Sequence, residues 1–325
     1  MSARDEAARR PPGAPMRLGV IGLGIMGERL LRVAAERGDA IAALWDPSPE
    51  ARARCAGLGP LAGGAAEVIA AADAVYVASP PASHIHHGRA ALEAGRALLL
   101  EKPLAADLDE ARGFVAWAEG RPAAVNFPMA SSPAVARLRA WLPEVGAPTS
   151  LTITVGFAAW PRAWQAAAAP WLDGAEEGGF TREVVSHFLF LAQRLLGPLA
   201  LHDAFVTRPD PGRAERGLAA RLSAGGVPVT LAGGVGNSAA EDSNLFTLRG
   251  DAGAIRLRDW SLAERAAGGE WHAAPDAMPN AKLRPVTLGA QLDKLAALAR
   301  GEATDLATLG EALAVQEIVE GMLRT

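Results

Sequence analysis

Cysteine is almost absent from this 325-residue chain: Cys55 is the only one. That excludes an internal disulfide and any multi-cysteine zinc or iron–sulfur centre, and it suits a reducing cytosol. Lysine is nearly as scarce, occurring only at Lys102, Lys282 and Lys294 among 32 basic residues. Arginine does not give up its proton in a protein and lysine can, so Lys102, at the end of an apolar strand, marks an amine with a possible use. Lys282 and Lys294 need no more than drift in a coding sequence that favours arginine. A net positive charge is lacking too: the formal balance is −4, which gives no global field for nucleic acid. No apolar run reaches the roughly 18 residues that a membrane helix needs. The opening residues 1–15 mix charges with Pro and lack the apolar core of a secretory signal, so they read as a solvated tail. These absences predict a soluble, cytoplasmic protein.

What is present is a change of rhythm. From Met16 to Asn126, short apolar runs alternate with helical stretches. Strands are expected at Met16–Ile21, Ala40–Trp45, Ala74–Ala78, Ala97–Leu100 and Ala123–Asn126, with helices at Glu28–Glu36, Ser83–Glu93 and Asp107–Glu119 between them. That alternation predicts a parallel sheet covered on both faces. After Asn126 the pattern becomes a helix at Pro133–Leu142, a long helix at Phe180–Leu196, and strands at Leu151–Gly156, Ala219–Ser223, Val227–Ala232, Leu245–Arg249 and Ala254–Leu257. Gln291–Arg300 and Leu309–Leu323 read as closing helices. The expected organisation is an α/β Rossmann domain over 16–126, then an α+β domain with a mostly antiparallel open sheet over 127–325 for substrate and oligomerisation.

Gly22-Leu23-Gly24-Ile25-Met26-Gly27 lies between the first strand and the first helix. The first glycine permits a tight turn, the second lets backbone approach a pyrophosphate, and the third allows close helix–strand packing. Free N–H groups at the helix start then favour the phosphates. A lone GxGxxG is weak; here a strand precedes it, a helix follows it, and Asp46 closes the second strand. Asp46 is placed to accept from the adenosine ribose hydroxyls, and Pro47-Ser48-Pro49 supplies no arginine for a 2′-phosphate, so NAD is favoured with NADP not excluded. Asp46 could equally be a plain turn cap before proline. Further along, Glu183 and His187 stand four apart on the long helix and share a face.

Ser79-Pro80-Pro81-Ala82-Ser83-His84, Glu101-Lys102-Pro103, and Gly178-Gly179 leading to Glu183 and His187, together with the glycine motif, resemble the Gfo/Idh/MocA oxidoreductases. The motif order and spacing extend over nearly the whole chain after the tail. That family includes inositol, glucose and other sugar dehydrogenases. The resemblance implies catalytic roles for Lys102, which would direct its amine at the reacting carbon–oxygen bond, and for His187, which would exchange the hydroxyl proton. It implies that Ser79, Pro80, His84 and Asn126 line the cofactor and that Glu101 positions Lys102 or the nicotinamide ribose. Glu183 stands where the family usually has aspartate, so the carboxylate sits about one bond length further out and substrate contacts change.

A second departure follows Asn126, where Phe127-Pro128-Met129 replaces a common aromatic–Arg pattern. Trp160, Trp164 and Trp171 crowd the segment before the Glu183 helix and could wall a less polar pocket or simply pack. The expected activity is reversible hydride transfer between NAD(P) and an alcohol or carbonyl substrate. Imine or enone reduction and non-catalytic cofactor sensing are the alternatives. His84-Ile85-His86-His87 does not read as a metal site, because those positions do not face one point. An apolar open sheet face in the second domain would favour a homo-oligomer.

Overall fold

The computed structural model describes residues 15–324, and the chain divides into two units. The first runs to Pro128 and takes in Leu288–Leu313; the second holds Met129–Thr287 and the chain from Ala314 on. The solvated tail expected over 1–15 lies outside the described residues except for Pro15, which is exposed.

The first unit is a five-stranded sheet of β1 (Arg17–Ile21), β2 (Ala40–Trp45), β3 (Ala74–Val77), β4 (Ala97–Leu100) and β5 (Ala123–Val125). The spatial order is β2-β1-β3-β4-β5 and every pair is parallel. Every residue of β3 and β4 is buried, as a sheet covered on both faces demands. Helices Ile25–Arg37, Pro81–Glu93 and Leu108–Trp117 supply the cover that the periodicity predicts. Two short helices, Pro49–Cys55 and Ala65–Ala71, were not expected, since seven residues give too little period to read. The first is set by Ser48, whose hydroxyl accepts from Ala51 N at 3.1 Å, with Pro49 at the opening position.

One part of the core comes from far along the chain. Leu288, Leu292, Leu295 and Leu306 pack with Leu18, Val20, Leu30 and Leu99. This stretch lies within the 127–325 expected for the second domain, yet it belongs to the first unit. Its helix is also longer than the expected Gln291–Arg300, spanning Asn280–Ala299. Pro285 inside that helix is the local signal that hid its start.

The second unit is an eight-stranded sheet. Its strands are β6 (Pro148–Phe157), β7 (Leu199–Thr207), β8 (Gly217–Ala224), β9 (Val227–Val235), β10 (Asp242–Gly250), β11 (Ala254–Arg258), β12 (Leu262–Ala267) and β13 (Glu270–Ala273). The order is β13-β12-β11-β10-β6-β9-β8-β7, antiparallel throughout except for the parallel β6–β9 pair. Alternation is plainest in β8, where Leu218, Ala220, Leu222 and Ala224 are buried while Ala219 and Arg221 are exposed. Strands β7, β12 and β13 differ from the expectation; β7 and β13 are the two edge strands and β12 is next to the edge, and their exposed residues blur the alternation. Ser186, Phe188, Leu189, Phe190, Leu191 and Ala192 form the buried part of helix Ser186–Leu196. No described helix is long and apolar enough to cross a membrane.

Candidate functional site

The glycine loop follows β1 at the point where strand order reverses, with β2 on one side and β3 on the other, which is where open α/β sheets bind ligands. Its glycines meet different surroundings. Gly22 has φ +93°, and a Cβ on it would lie 2.4 Å from Ser79 N at the end of β3. A Cβ on Gly27 would lie 1.9 Å from Gly22 O, so nothing larger than hydrogen fits between helix and loop. Gly24 is the opposite case: an added Cβ meets no atom within 4 Å, and its φ of −70° suits any residue. Gly24 caps helix Ile25–Arg37 with no side chain bonded to the free amides. The loop is therefore closed towards the protein and open outward, with uncapped N–H groups at a helix start: a cradle that fits a dinucleotide pyrophosphate. Leu23 is fully buried and pins the loop from below.

Asp46 braces this loop. Its Oδ2 accepts from Leu23 N at 2.7 Å and its Oδ1 from Ser48 N at 2.8 Å, so it acts as the turn cap that the following proline suggested. Each oxygen retains a lone pair for a ribose hydroxyl. Around it lie Arg54, whose Nη2 donates to Leu23 O at 2.7 Å, and Glu28, which Arg54 Nε meets at 2.5 Å. Sequence reading did not single out either residue.

Ser79 and Pro80 follow β3, and Pro80 is exposed. Ser83 Oγ donates to Ser79 Oγ at 2.8 Å. His84 is 1% exposed, with Nε2 2.6 Å from Ser79 O and Nδ1 2.8 Å from Pro103 O. Two carbonyls invite a second ring proton, but desolvation outweighs them and, with the Lys102 charge adding to it, brings the pKa down to about 4. The ring is neutral at pH 7, with one nitrogen donating, and it ties the segment after β3 to the segment after β4.

Behind Lys102 lies a buried polar network. The hydroxyl of Tyr76 and the Nδ2 of Asn126 both donate to Glu101 Oε1. Asn126 Nδ2 is also 3.1 Å from the Tyr76 oxygen, and Gln291 Nε2 donates to Asn126 Oδ1 at 2.7 Å. Glu101 Oε2 accepts from Lys102 N at 3.2 Å. Burial raises the pKa of Glu101, while the Tyr76 bond, the Lys102 charge and the Asn126 bond hold it down. Lys102 itself is half-buried at the C-terminal end of β4. Asn126 thus acts through its amide within the network. Tyr76 and Gln291 were missed in the sequence; the signal for Tyr76 was a lone phenol in an otherwise aliphatic strand.

In the second unit the expected helix Phe180–Leu196 begins with a wide π-turn, Thr181–Val185, and becomes α-helical only from Ser186. Ser186 Oγ donates to Arg182 O at 2.7 Å, a side-chain bond that competes with the helix ladder there. Such turns gather at functional sites. Across residues 180–192 every residue is buried except Glu183 and His187. They sit a turn apart, and the sequence had placed them on one face.

Three long-range contacts fix this turn. Glu215 is 1% exposed and its Oε1 accepts from Thr181 N at 2.7 Å and from Thr181 Oγ1 at 2.6 Å. Gly179 has φ +100°, and a Cβ there would lie 2.2 Å from the same carboxylate. Arg182 is tied to Glu320 by bonds of 2.6 and 2.8 Å, so it anchors the turn. Trp260 packs its ring edge-on against His187, with centroids 5.5 Å apart, and lies 5.0 Å from Phe188. Asp259 and Trp260 have φ of +47° and +70°, an uncommon pair of left-handed non-glycine residues in the β11–β12 turn.

The three tryptophans singled out earlier separate. Trp160 is 6% exposed, packs on Phe157 and Phe180, and donates to Leu172 O at 3.1 Å, which makes it core. Trp164 and Trp171 are 39% and 42% exposed.

Comparison with known proteins follows the same outline. Residues 16–127 match the model of the Gfo/Idh/MocA family, an oxidoreductase family with an NAD-binding Rossmann fold. An inositol 2-dehydrogenase of Cereibacter sphaeroides is 40% identical over 108 residues, a stretch that is 31% of this chain and 32% of that protein. The chain thus aligns with about a third of that relative's length. An oxidoreductase of Agrobacterium radiobacter, solved with NAD+, L-tartaric acid and magnesium, superposes with a TM-score of 0.79 at 19% identity, over 94% of this chain and 95% of the other. A biliverdin reductase of Synechocystis, solved with biliverdin and NADP+, gives a TM-score of 0.73 at 21% identity, over 96% and 99%. At these identities the likeness shows the fold. Over residues 16–127, the cradle's geometry and the family match together describe a Rossmann domain similar to the NAD-binding domain of the Gfo/Idh/MocA oxidoreductases.

Proposed function

We propose that this protein is an NAD-dependent dehydrogenase of a polyol, a sugar or a less polar alcohol. The observation that carries the reading is the burial pattern of residues 180–192, where only Glu183 and His187 are half-buried rather than buried, on a turn anchored by the Thr181–Glu215 and Arg182–Glu320 contacts. A half-buried carboxylate and imidazole on an otherwise buried stretch are suited to holding a hydroxyl and moving its proton.

The roles divide as follows. Backbone amides of the Gly22–Gly27 loop hold the pyrophosphate, and Asp46 accepts from the ribose hydroxyls. Ser79, Pro80 and Asn126 bound the remainder of that site, with His84 as the strut behind Ser79. When bound, NAD supplies the hydride acceptor. Lys102 directs its amine at the substrate oxygen, and Glu101 orients the Lys102 backbone. His187 takes the hydroxyl proton at a ring nitrogen during oxidation and returns it in reduction. Glu183, longer than the aspartate usual in the family, holds a neighbouring substrate hydroxyl. The curated inositol 2-dehydrogenase supports a polyol as substrate.

A second reading, reduction of a less polar carbonyl, imine or enone, is favoured by one feature: His187 is flanked by the Trp260 ring, which sits beside Phe188. Turnover with NAD on myo-inositol, other polyols and aryl alcohols, and with NADH on ketones, imines and enones, separates the two. Lys102→Ala and His187→Asn should each lower turnover by roughly 10²–10⁴-fold while leaving NADH affinity near wild type. Wild-type turnover in both variants would refute the proposal. The protein also pairs with its own copy through the outer face of the second sheet, where Phe205 is 68% exposed. A Phe205→Glu variant should then run as a smaller particle in light scattering.

A further inference from the structure

Glu28, on the helix that opens at the glycine loop, grips two arginines. Its Oε2 meets Arg54 Nε at 2.5 Å and its Oε1 meets Arg32 Nη2 at 2.6 Å. Arg54 reaches further, donating from Nη2 to Leu23 O at 2.7 Å, while the N–H of that same Leu23 goes to Asp46 at 2.7 Å. The guanidinium therefore lies one residue's backbone away from the carboxylate assigned to the ribose. Its side chain is 47% exposed, and that of Glu28 is 19% exposed. Against the penalty of desolvation, Arg54 and Arg32 hold the Glu28 carboxyl below its usual range, and the bond to Glu28 raises the pKa of Arg54. The clamp is charged on both sides at neutral pH.

We infer that Arg54 is a latent binding group for the adenosine 2′-phosphate, kept occupied by Glu28, so that Glu28 acts with Asp46 to set the preference for the dinucleotide without that phosphate. A 2′-phosphate brings about −1.5 to −2 charges at pH 7. In this chain it would meet two carboxylates, Asp46 and Glu28, and an arginine whose Nε and Nη2 already serve Glu28 and Leu23. Pro47-Ser48-Pro49 offers no substitute cation. With Glu28 made neutral, Arg54 loses its strongest partner, and one negative charge leaves the neighbourhood. The fork of guanidinium donors is then free to turn towards a phosphate, to which it is well matched. The inference rests on the NAD-binding assignment of the first unit and does not depend on the substrate.

The test is a fluorescence titration with NADH and with NADPH at fixed ionic strength, using the full chain. The variants are Glu28→Gln, Arg54→Met and the double variant, each checked for folding by thermal unfolding. The wild type should bind NADH at least about tenfold tighter than NADPH. Glu28→Gln should tighten NADPH about tenfold and move NADH by less than about threefold. Adding Arg54→Met should erase that gain. The gain should also shrink in high salt, as an exposed charge contact does. An unchanged NADPH-to-NADH ratio in Glu28→Gln would overturn the inference, as would a gain that survives in the double variant.

Discussion

The glycine loop after β1 and the π-turn at Thr181–Val185 both leave a few groups open on an otherwise packed element, but they are built differently. The loop is made of backbone: its shape requires that Gly22 and Gly27 carry no side chain, and its partners, Ser79 and Asp46, follow nearby strands. The π-turn is made of side chains drawn from afar, with Glu215 lying 34 residues beyond Thr181 and Glu320 lying 138 beyond Arg182. A site formed by backbone geometry tolerates no Cβ in the wrong place, whereas a site formed by side chains fails when one distant carboxylate is lost. Substitutions can probe that difference in turn.

The largest effect is expected at Gly27. A Cβ placed 1.9 Å from Gly22 O must displace backbone, so Gly27→Val should cost about 3 kcal/mol or more and appear as a lowered midpoint in urea or as failure to fold. Next is the pH dependence of the first unit. The folded pKa of His84 lies at about 4 against an ordinary value of 6.5, so the native state binds fewer protons. Its contribution is present above about 6.5 and is lost as pH falls towards 4, on the order of 3 kcal/mol in all. Thermal melts between pH 7 and pH 4 should show this slope, and a non-titrating His84→Gln should flatten it.

Glu215→Ala should be milder, about 1–3 kcal/mol, because it orphans the Thr181 amide and hydroxyl together. Its signature would be local: faster amide exchange across 181–187 without a change in NADH affinity. The smallest effect belongs to the exposed Trp171. Trp171→Ala, at an exposed position, should shift stability by no more than about 0.5 kcal/mol, whereas Trp160→Ala should cost about 3–5 kcal/mol. Equal costs would contradict the division into core and surface made here.

The same contrast explains what could be read from the amino-acid sequence. The turn at Gly22 and Gly27 and the bracing by Asp46 leave a local mark in the sequence, whereas the spacing of Glu183 and His187 gave no sign of the π-turn at Thr181–Val185. Tyr76 and Gln291 were not legible, since the network behind Lys102 joins Asn126 to a residue 165 positions later. Glu215 had no local signal at all, and Trp260 earned its place by a turn conformation that its type rarely adopts. The parallel pairing of the first unit's sheet followed from alternation. Leu288–Leu306 were misassigned because a returning segment shows only its amphipathic face and not the core that receives it.

The most direct measurement concerns Gly24, where the fold leaves room for a side chain and the cradle leaves none for both a side chain and a phosphate. Gly24→Val should unfold at the wild-type temperature within a few degrees, since an added Cβ meets no atom within 4 Å, yet lose saturable NADH binding in a fluorescence titration. Wild-type NADH affinity in a normally folded Gly24→Val would show that the dinucleotide does not lie on this loop.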